Sequence, residues 1–278
     1  MLNKRRIKES FSRAATTYDR ASSLQKETAR LLASEFKEAA GSARKILDIG
    51  SGTGHLTGAL REVMAGAVYY HSDIARPMLV RARENFYGHR GEAAEGGENK
   101  NFVCADAEAL PFRGEAFDAL VSNLAFQWVP DTARAFREAA LVLRPGGVFA
   151  FTTLGPATLN ELRASLIDAK TERNPAARLR LVPFAEEDEL LTGIRKAGLA
   201  PMKVEARIME KRYESPVELL RTLKYIGALD RGEVCSATSL VKGSLLRRAF
   251  STYERDYSSF EGVKATYEVI FVAAKKAC

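Results

Sequence analysis

The chain has 278 residues, 46% hydrophobic and 28% charged, a balance that excludes collagenous, low-complexity and disordered classes. One domain carrying a lid is the expected organisation, and its 42 basic against 35 acidic residues, a net charge of +7, favour an acidic partner without saying which. No apolar run is long enough for a membrane span, and Cys104, Cys235 and Cys278 are too scattered for a disulfide framework. His55, His71 and His89 have no metal-ligand spacing, so no metal is expected. The basic N-terminus lacks the apolar centre of a secretory signal and carries Glu9 and Asp19, which argues against a transit peptide; a cytoplasmic location is expected.

In chain order, Leu24, Leu31, Leu32 and Phe36 predict an amphipathic helix over 22–38. KILDIG (45–50) then reads as a strand feeding the helix HLTGALREV (55–63). VYYHSD (68–73) is a second strand, and Pro77 opens the helix RPMLVRARENFY. Residues 88–100 read as a surface loop, and FVCAD (102–106) and FDALVSN (117–123) as further strands. Asp131 is a candidate N-cap for TARAFREAALVL, which Pro145-Gly146-Gly147 should stop before the fifth strand VFAFTTL (148–154). This alternation predicts a parallel sheet with helices on both faces, its ligand beyond the carboxyl ends of the strands. Beyond it, 156–200 look mainly helical, 201–213 alternate like a strand, 215–228 read as a helix and 266–274 as a last strand; the late helices are candidates for a lid.

LDIGSGTG (47–54) is the sharpest local signal. Gly50, Gly52 and Gly54 permit positive φ and close approach to the backbone where strand becomes helix. The third glycine comes one residue earlier than in the dinucleotide fingerprint, and Asp48 precedes the first. A carboxylate there repels a pyrophosphate but attracts a ligand carrying an ammonium and a sulfonium, as S-adenosylmethionine (SAM) does. A turn that only packs strand on helix is the plainer alternative. Asp73, ending the second strand, suits ribose hydroxyls or a helix cap; Asp106, followed by Ala107, suits the adenine amino group or is an ordinary loop aspartate.

LDIGSGTG, SDIARPML, AD, FDALVSNLAFQW and LRPGGVFAFTTL, in this order, resemble the class I SAM-dependent methyltransferases. FSRAATTYDRAS, ARPMLVRAR, SNLAFQWVPD, FTTLGPATLNELR and LLRTLKYIGA further resemble the BioC family, the malonyl-carrier-protein methyltransferases of biotin synthesis. The resemblance runs from about residue 8 to 275 and is weakest over 230–262. It implies a Rossmann-like, mostly parallel seven-stranded sheet with a helical lid, in a single domain. The divisions expected are an N-terminal helical cap (1–40), a SAM-binding core (41–155), lid helices with one core strand (156–265) and the last strand (266–278). A SAM site made by Tyr18, Asp48, Gly50, Ser51, Gly52, Thr53, Gly54, Asp73, Ile74, Met78, Asp106, Ala107, Asn123 and Leu124 is implied. Phe11, Ala14, Ala15 and Tyr18 share a helix face, with Tyr18 closing the site, although packing on the core predicts the same spacing.

Gln127 and Trp128 lie where an acceptor would enter, Trp128 being equally a candidate core anchor. Tyr18, Gln127, Trp128 and Lys224 are the candidate catalytic residues. Lys224, Arg144 and Gln127 are candidates for orienting the acceptor carboxylate; the late helix with Lys224 is favoured, a solvated charge being the plainer reading of Lys224 and a structural role that of Arg144. The implied reaction esterifies the free carboxylate of malonyl-[acyl-carrier protein] in biotin synthesis. A carboxylate with a pKa of roughly 4 is already the nucleophile at neutral pH and requires no general base. The implied partner is an acyl carrier protein bearing malonyl-phosphopantetheine, or malonyl-CoA, with no nucleic acid or membrane and a monomeric enzyme. Lys4, Arg5, Arg6, Lys8, Arg221, Arg231, Lys242, Arg247 and Arg248 are candidates for docking it. Alternatives are methylation of a small free acid or a quinone-type carbon, and a SAM-binding subunit without turnover. A nucleic-acid methyltransferase would suit the charge, but SNLAFQW stands where such enzymes carry Asn- or Asp-Pro-Pro-Tyr.

Overall fold

A computed structural model describes residues 2–64, 66–88, 101–173, 184–228 and 243–278. Most of the expected 88–100 loop, Cys235, Arg231 and Lys242 lie outside them. Three helices open the chain: α1 (Lys4–Ala14), α2 (Tyr18–Ala21) and α3 (Ser23–Ala40). The alternating region follows as β1 (Lys45–Ile49), α4 (His55–Val63), β2 (Val68–Asp73), α5 (Arg76–Tyr87), β3 (Phe102–Cys104), β4 (Phe117–Asn123), α6 (Thr132–Val142) and β5 (Leu143–Leu154). Then come α7 (Asn160–Arg173), α8 (Glu187–Lys196), β6 (Leu199–Tyr213), α9 (Pro216–Tyr225), α10 (Gly243–Tyr257), β7 (Ser258–Ser259) and β8 (Gly262–Lys276).

The sheet runs β3-β2-β1-β4-β5-β8-β6, parallel from β3 to β5, with β8 antiparallel to both its neighbours. These are the seven strands of the Rossmann-like architecture; the eighth is the two-residue β7, a ribbon on β8. Side chains alternate between two buried layers, as a period of two requires. Ala119, Val121, Val148 and Ala150 join α3, α4, α7, α9 and α10 on one face, while Leu120, Phe149 and Phe151 join α6 and α8 on the other.

Several boundaries differ from the sequence reading. β5 begins at Leu143, because Pro145-Gly146-Gly147 continues the strand through a register shift opposite β4 instead of only ending α6. β8 begins at Gly262, so the last strand is longer than 266–278 and reaches further along the ligand edge. Within 1–40, α3 buries Leu24, Leu32 and Phe36 in the main core, leaving α1 and α2 as the covering segment. Within 156–265, α8 buries Leu190 and Ile194 beside Phe136 and Phe149 and is a sheet-covering helix, not part of a lid. The expected single face from Phe11 to Tyr18 is interrupted: α1 stops at Ala14, and the Thr17 hydroxyl donates to the carbonyls of Ala14 (3.1 Å) and Tyr225 (2.9 Å). Phe11 and Tyr18 still pack together on Ala14, Ala15, Ala75 and Met78.

Candidate active site

The glycine turn joins β1 to α4. Gly50, Gly52 and Gly54 have φ of 69°, 54° and 91°, the left-handed region a side chain rarely adopts. A Cβ on Gly50 would stand 2.4 Å from that of Ala125, and one on Gly54 2.7 Å from the Phe86 ring, so both glycines serve protein packing. Gly52 is different: no atom of the described residues lies within 4 Å of its would-be Cβ, and it opens onto a cavity. Asp73 holds this turn, its carboxylate accepting from the Gly52 amide (2.9 Å) and from the Ala75 amide (2.8 Å) at the start of α5. Burial pushes its pKa up to about 6, against the pull of those two amides. Asp48 is buried under the turn and does not line the cavity. One of its oxygens accepts from Thr57 Oγ1 (2.9 Å), the other has no hydrogen-bond partner among the described residues, and burial raises its pKa to about 7. Ser51 Oγ is likewise buried and without a partner among the described residues, while Thr53 gives its carbonyl to Asn85.

The cavity over this turn measures about 790 Å³ with its open mouth included. Of the residues expected to hold SAM, it brings together Tyr18, Gly50, Gly52, Asp73, Ile74, Met78, Asp106, Ala107, Asn123 and Leu124. Asp48, Ser51, Thr53 and Gly54 sit behind this surface as its support. Two of the lining residues are already engaged. Asp106 accepts from Lys4 Nζ (2.7 Å) and from the Glu108 amide (2.9 Å), and Asn123 donates to Gln25 O (2.9 Å) while accepting from Thr152 Oγ1 (2.8 Å). Lys4, a docking candidate by sequence, therefore lines the cavity and donates to Glu108 as well (2.5 Å). Tyr18 lies stacked near His55, its hydroxyl pKa raised by burial and by the carboxylates of Asp73 and Asp19.

A second cavity of about 890 Å³ shares Phe11, Tyr18, Leu124 and Trp128 with the first. Trp128 is a wall between them, with Phe11 edge-on to it at 5.3 Å, and not an anchor in either sheet-facing core layer. Gln127 lines the second cavity, but its amide donates to the Leu124 carbonyl (2.6 Å) and accepts from Thr153 Oγ1 (3.3 Å), so it braces the loop. Leu124 (φ 49°) and Leu159 (φ 54°) hold left-handed backbone without being glycine, and both line this cavity. Strain of that kind persists where surrounding structure enforces it, which functional sites often do.

Lys224 is not in the site. Leu219 and Leu223 form the buried face of α9, and the next residue points about 100° round the helix, leaving Lys224 exposed and outside both cavity linings. Among the described residues the basic side chain that does reach the second cavity is Arg163 of α7, which is not among the sequence candidates. Its signal was present: Leu159, Leu162 and Leu166 are spaced i, i+3 and i+7, and Arg163 interrupts their stripe at i+4. Arg144 is structural, donating to Glu115 O (3.2 Å) and pairing with Asp118 near the amino ends of the strands. Arg5, Arg6, Lys8, Arg221, Arg247 and Arg248 are exposed. Among the described residues no His, Cys, Asp and Glu cluster has metal-binding geometry, and no helix is long and apolar enough to cross a membrane.

A methyltransferase-domain family matches residues 47–151. A malonyl-[acyl-carrier protein] O-methyltransferase of Methylococcus capsulatus is 35% identical over 277 residues, covering 98% of this chain and 94% of that one. The biotin biosynthesis bifunctional protein BioHC of Saccharophagus degradans is 34% identical over 271 residues, covering 97% of this chain and 46% of the longer relative. Among solved structures, YcgJ of Bacillus subtilis shares the fold with a TM-score of 0.57 at 19% identity, covering 89% of this chain and 98% of that one. The sheet order and the glycine turn agree with the domain match, and at this identity over nearly the whole of both chains the protein belongs to the malonyl-[acyl-carrier protein] O-methyltransferase family.

Proposed function

We propose that this enzyme converts the free carboxylate of malonyl-[acyl-carrier protein] to its methyl ester in biotin synthesis, with SAM as methyl donor. The observation that carries the reading is the pair of cavities meeting at Phe11, Tyr18, Leu124 and Trp128, one built on the glycine turn and the other largely apolar. The first fits SAM: Gly52 leaves room against the backbone, Asp73 offers a carboxylate toward ribose hydroxyls, and Asp48 carries an unsatisfied buried oxygen beneath the turn. When bound, SAM supplies a sulfonium methyl, so that a carboxylate oxygen–carbon bond forms as the carbon–sulfur bond breaks, its electron pair leaving on sulfur.

The protein's own part is binding, orientation and exclusion of water. No Asp, Glu or His is among the described residues lining the second cavity, as suits a nucleophile that is already an anion. Tyr18 and Trp128 stand at the junction, where they limit water access and align the two reacting groups, a contribution that positioning alone makes large. The surplus of basic residues, including exposed Arg5, Arg6 and Lys8 on α1, supports an acidic carrier over free malonate.

The test is to incubate the protein with SAM and malonyl-[acyl-carrier protein], malonyl-CoA or malonate, and to read one added methyl group by intact mass. Methylation of the carrier thioester with a KM that rises with salt is expected. Methylation of malonate alone transfers the enzyme to small acids, and SAM binding without any methylation supports a non-catalytic subunit.

A further inference from the structure

We propose that Arg163 is the residue that recognises the acceptor's carboxylate and so restricts the enzyme to acyl thioesters ending in a free acid. The inference rests on the methyltransferase reading above and names the specificity determinant of the same site.

Arg163 is the sole charged side chain among the described residues lining the second cavity, where its neighbours include Leu159, Leu162, Leu223, Ile226 and Trp128. A guanidinium has five N–H donors in a planar fork that matches a carboxylate. Among the described residues Arg163 makes one hydrogen bond, from Nη1 to the Pro156 carbonyl at 2.8 Å, and no ion pair. The other polar groups of the cavity are largely committed within the protein. Thr158 Oγ1 bonds the backbone of Glu268, Tyr267 bonds Tyr213 (3.0 Å), and Gln127 braces Leu124. Arg163 is thus a half-buried cation with spare donors beside an apolar wall.

An anion entering such a cavity loses part of its hydration and calls for a counter-charge, which among the described residues only Arg163 offers. The methyl ester product has no charge and gains less from the guanidinium, keeping at most a hydrogen bond to its carbonyl oxygen. The same contact therefore draws substrate in and favours release of product, and an acetyl thioester, which has no free carboxylate, is refused. Pairing through one carboxylate oxygen leaves the other for the methyl group. The Pro156 hydrogen bond holds the α7 end of the side chain in place, and α7 is itself anchored by Glu161, which accepts from the Thr266 amide (3.0 Å).

The test measures binding, not turnover. With S-adenosylhomocysteine present, calorimetry compares malonyl-pantetheine with its monomethyl ester on the wild-type enzyme, on Arg163→Met and on Arg163→Lys. The wild type should bind the free acid more than about tenfold better than the ester. Arg163→Met should bind both alike, Arg163→Lys should restore part of the preference, and S-adenosylhomocysteine affinity should stay within about twofold in all three. If Arg163→Met unsettles α7, as a melt would show, Arg163→Gln keeps a hydrogen-bonding head without the charge and should lose the preference equally. Undiminished preference in the Met or Gln variant overturns the assignment and leaves the methyltransferase reading standing. A wild type that binds neither compound, or both equally, overturns both.

Discussion

Asp73 shows how burial and function meet in one side chain. Its carboxylate sits between two backbone amides that favour the anion, in surroundings that disfavour it more strongly, and its pKa is about 6. Accepting from ribose hydroxyls requires the ionised form. SAM binding should therefore expel a proton below about pH 6, and affinity should weaken by up to about tenfold per pH unit further down. Calorimetry in buffers of different ionisation enthalpy reads this directly: proton release is expected at pH 5.5 and none at pH 8. In Asp73→Asn the release should vanish and affinity should drop by about 1.5 to 3 kcal/mol. Unchanged affinity in that variant would remove Asp73 from the donor site. Lys224 offers the converse case. It was the sequence's candidate for orienting the acceptor, but it points to solvent, so Lys224→Ala should alter the KM for malonyl thioester by less than about twofold. A tenfold rise would mean that the acceptor extends beyond the second cavity.

Elements were legible in the sequence wherever one local pattern decided them. β1, α4, β2 and α5 fall within a residue of their expected limits, since hydrophobic period, glycines and Pro77 all act over a few positions. The departures need contacts across the fold. Residues 243–257 form α10, packed on α7; they fall within the expected lid helices (156–265) without limits of their own, because their pattern makes sense only once α7 is in place. Lys4 resembled any solvated lysine until β3 and the turn after it brought Asp106 and Glu108 to it from more than a hundred residues away. That pairing makes α1 a strap fastened at both ends, through Lys4 on one side and through Ser10 Oγ to Gly227 O (3.1 Å) on the other. Burial works against the lysine's charge, yet the two carboxylates hold its pKa above the ordinary value. Lys4→Met should loosen the strap and leave Glu108, almost buried, without its cation. The expected result is a SAM dissociation rate raised about three- to tenfold, with little change in the rate of binding, read by stopped-flow displacement. An unchanged dissociation rate would show that α1 does not close that mouth.

Over the whole molecule, buried carboxylates and buried histidines oppose each other as pH changes. Asp48 and Asp73 are raised to about 7 and about 6 by burial, so between pH 4 and 6 the folded chain holds two protons that the unfolded chain, with ordinary values near 4, has released. Their contribution to stability falls as pH rises through that window. His55 and His71 are lowered to about 4, again mainly by burial, so the folded chain lacks two protons that the unfolded chain, with values near 6.5, still holds. Their contribution rises over the same window, and the two pairs nearly cancel. The unliganded protein should therefore melt at almost constant temperature from pH 4.5 to 6. Removing one member should expose the other side. Asp48→Asn takes away a destabilising ionisation and should give a Tm that climbs with pH, whereas His71→Phe should give one that falls. Each unmatched proton is worth about 1.4 kcal/mol per pH unit, or a few degrees across the window for a chain of this size. Calorimetric scans of the three proteins at pH 4.5, 5.25 and 6 measure both slopes. Slopes of the same sign in the two variants would mean that these groups titrate near their ordinary values, and the pH dependence expected of SAM binding at Asp73 would then lose its basis.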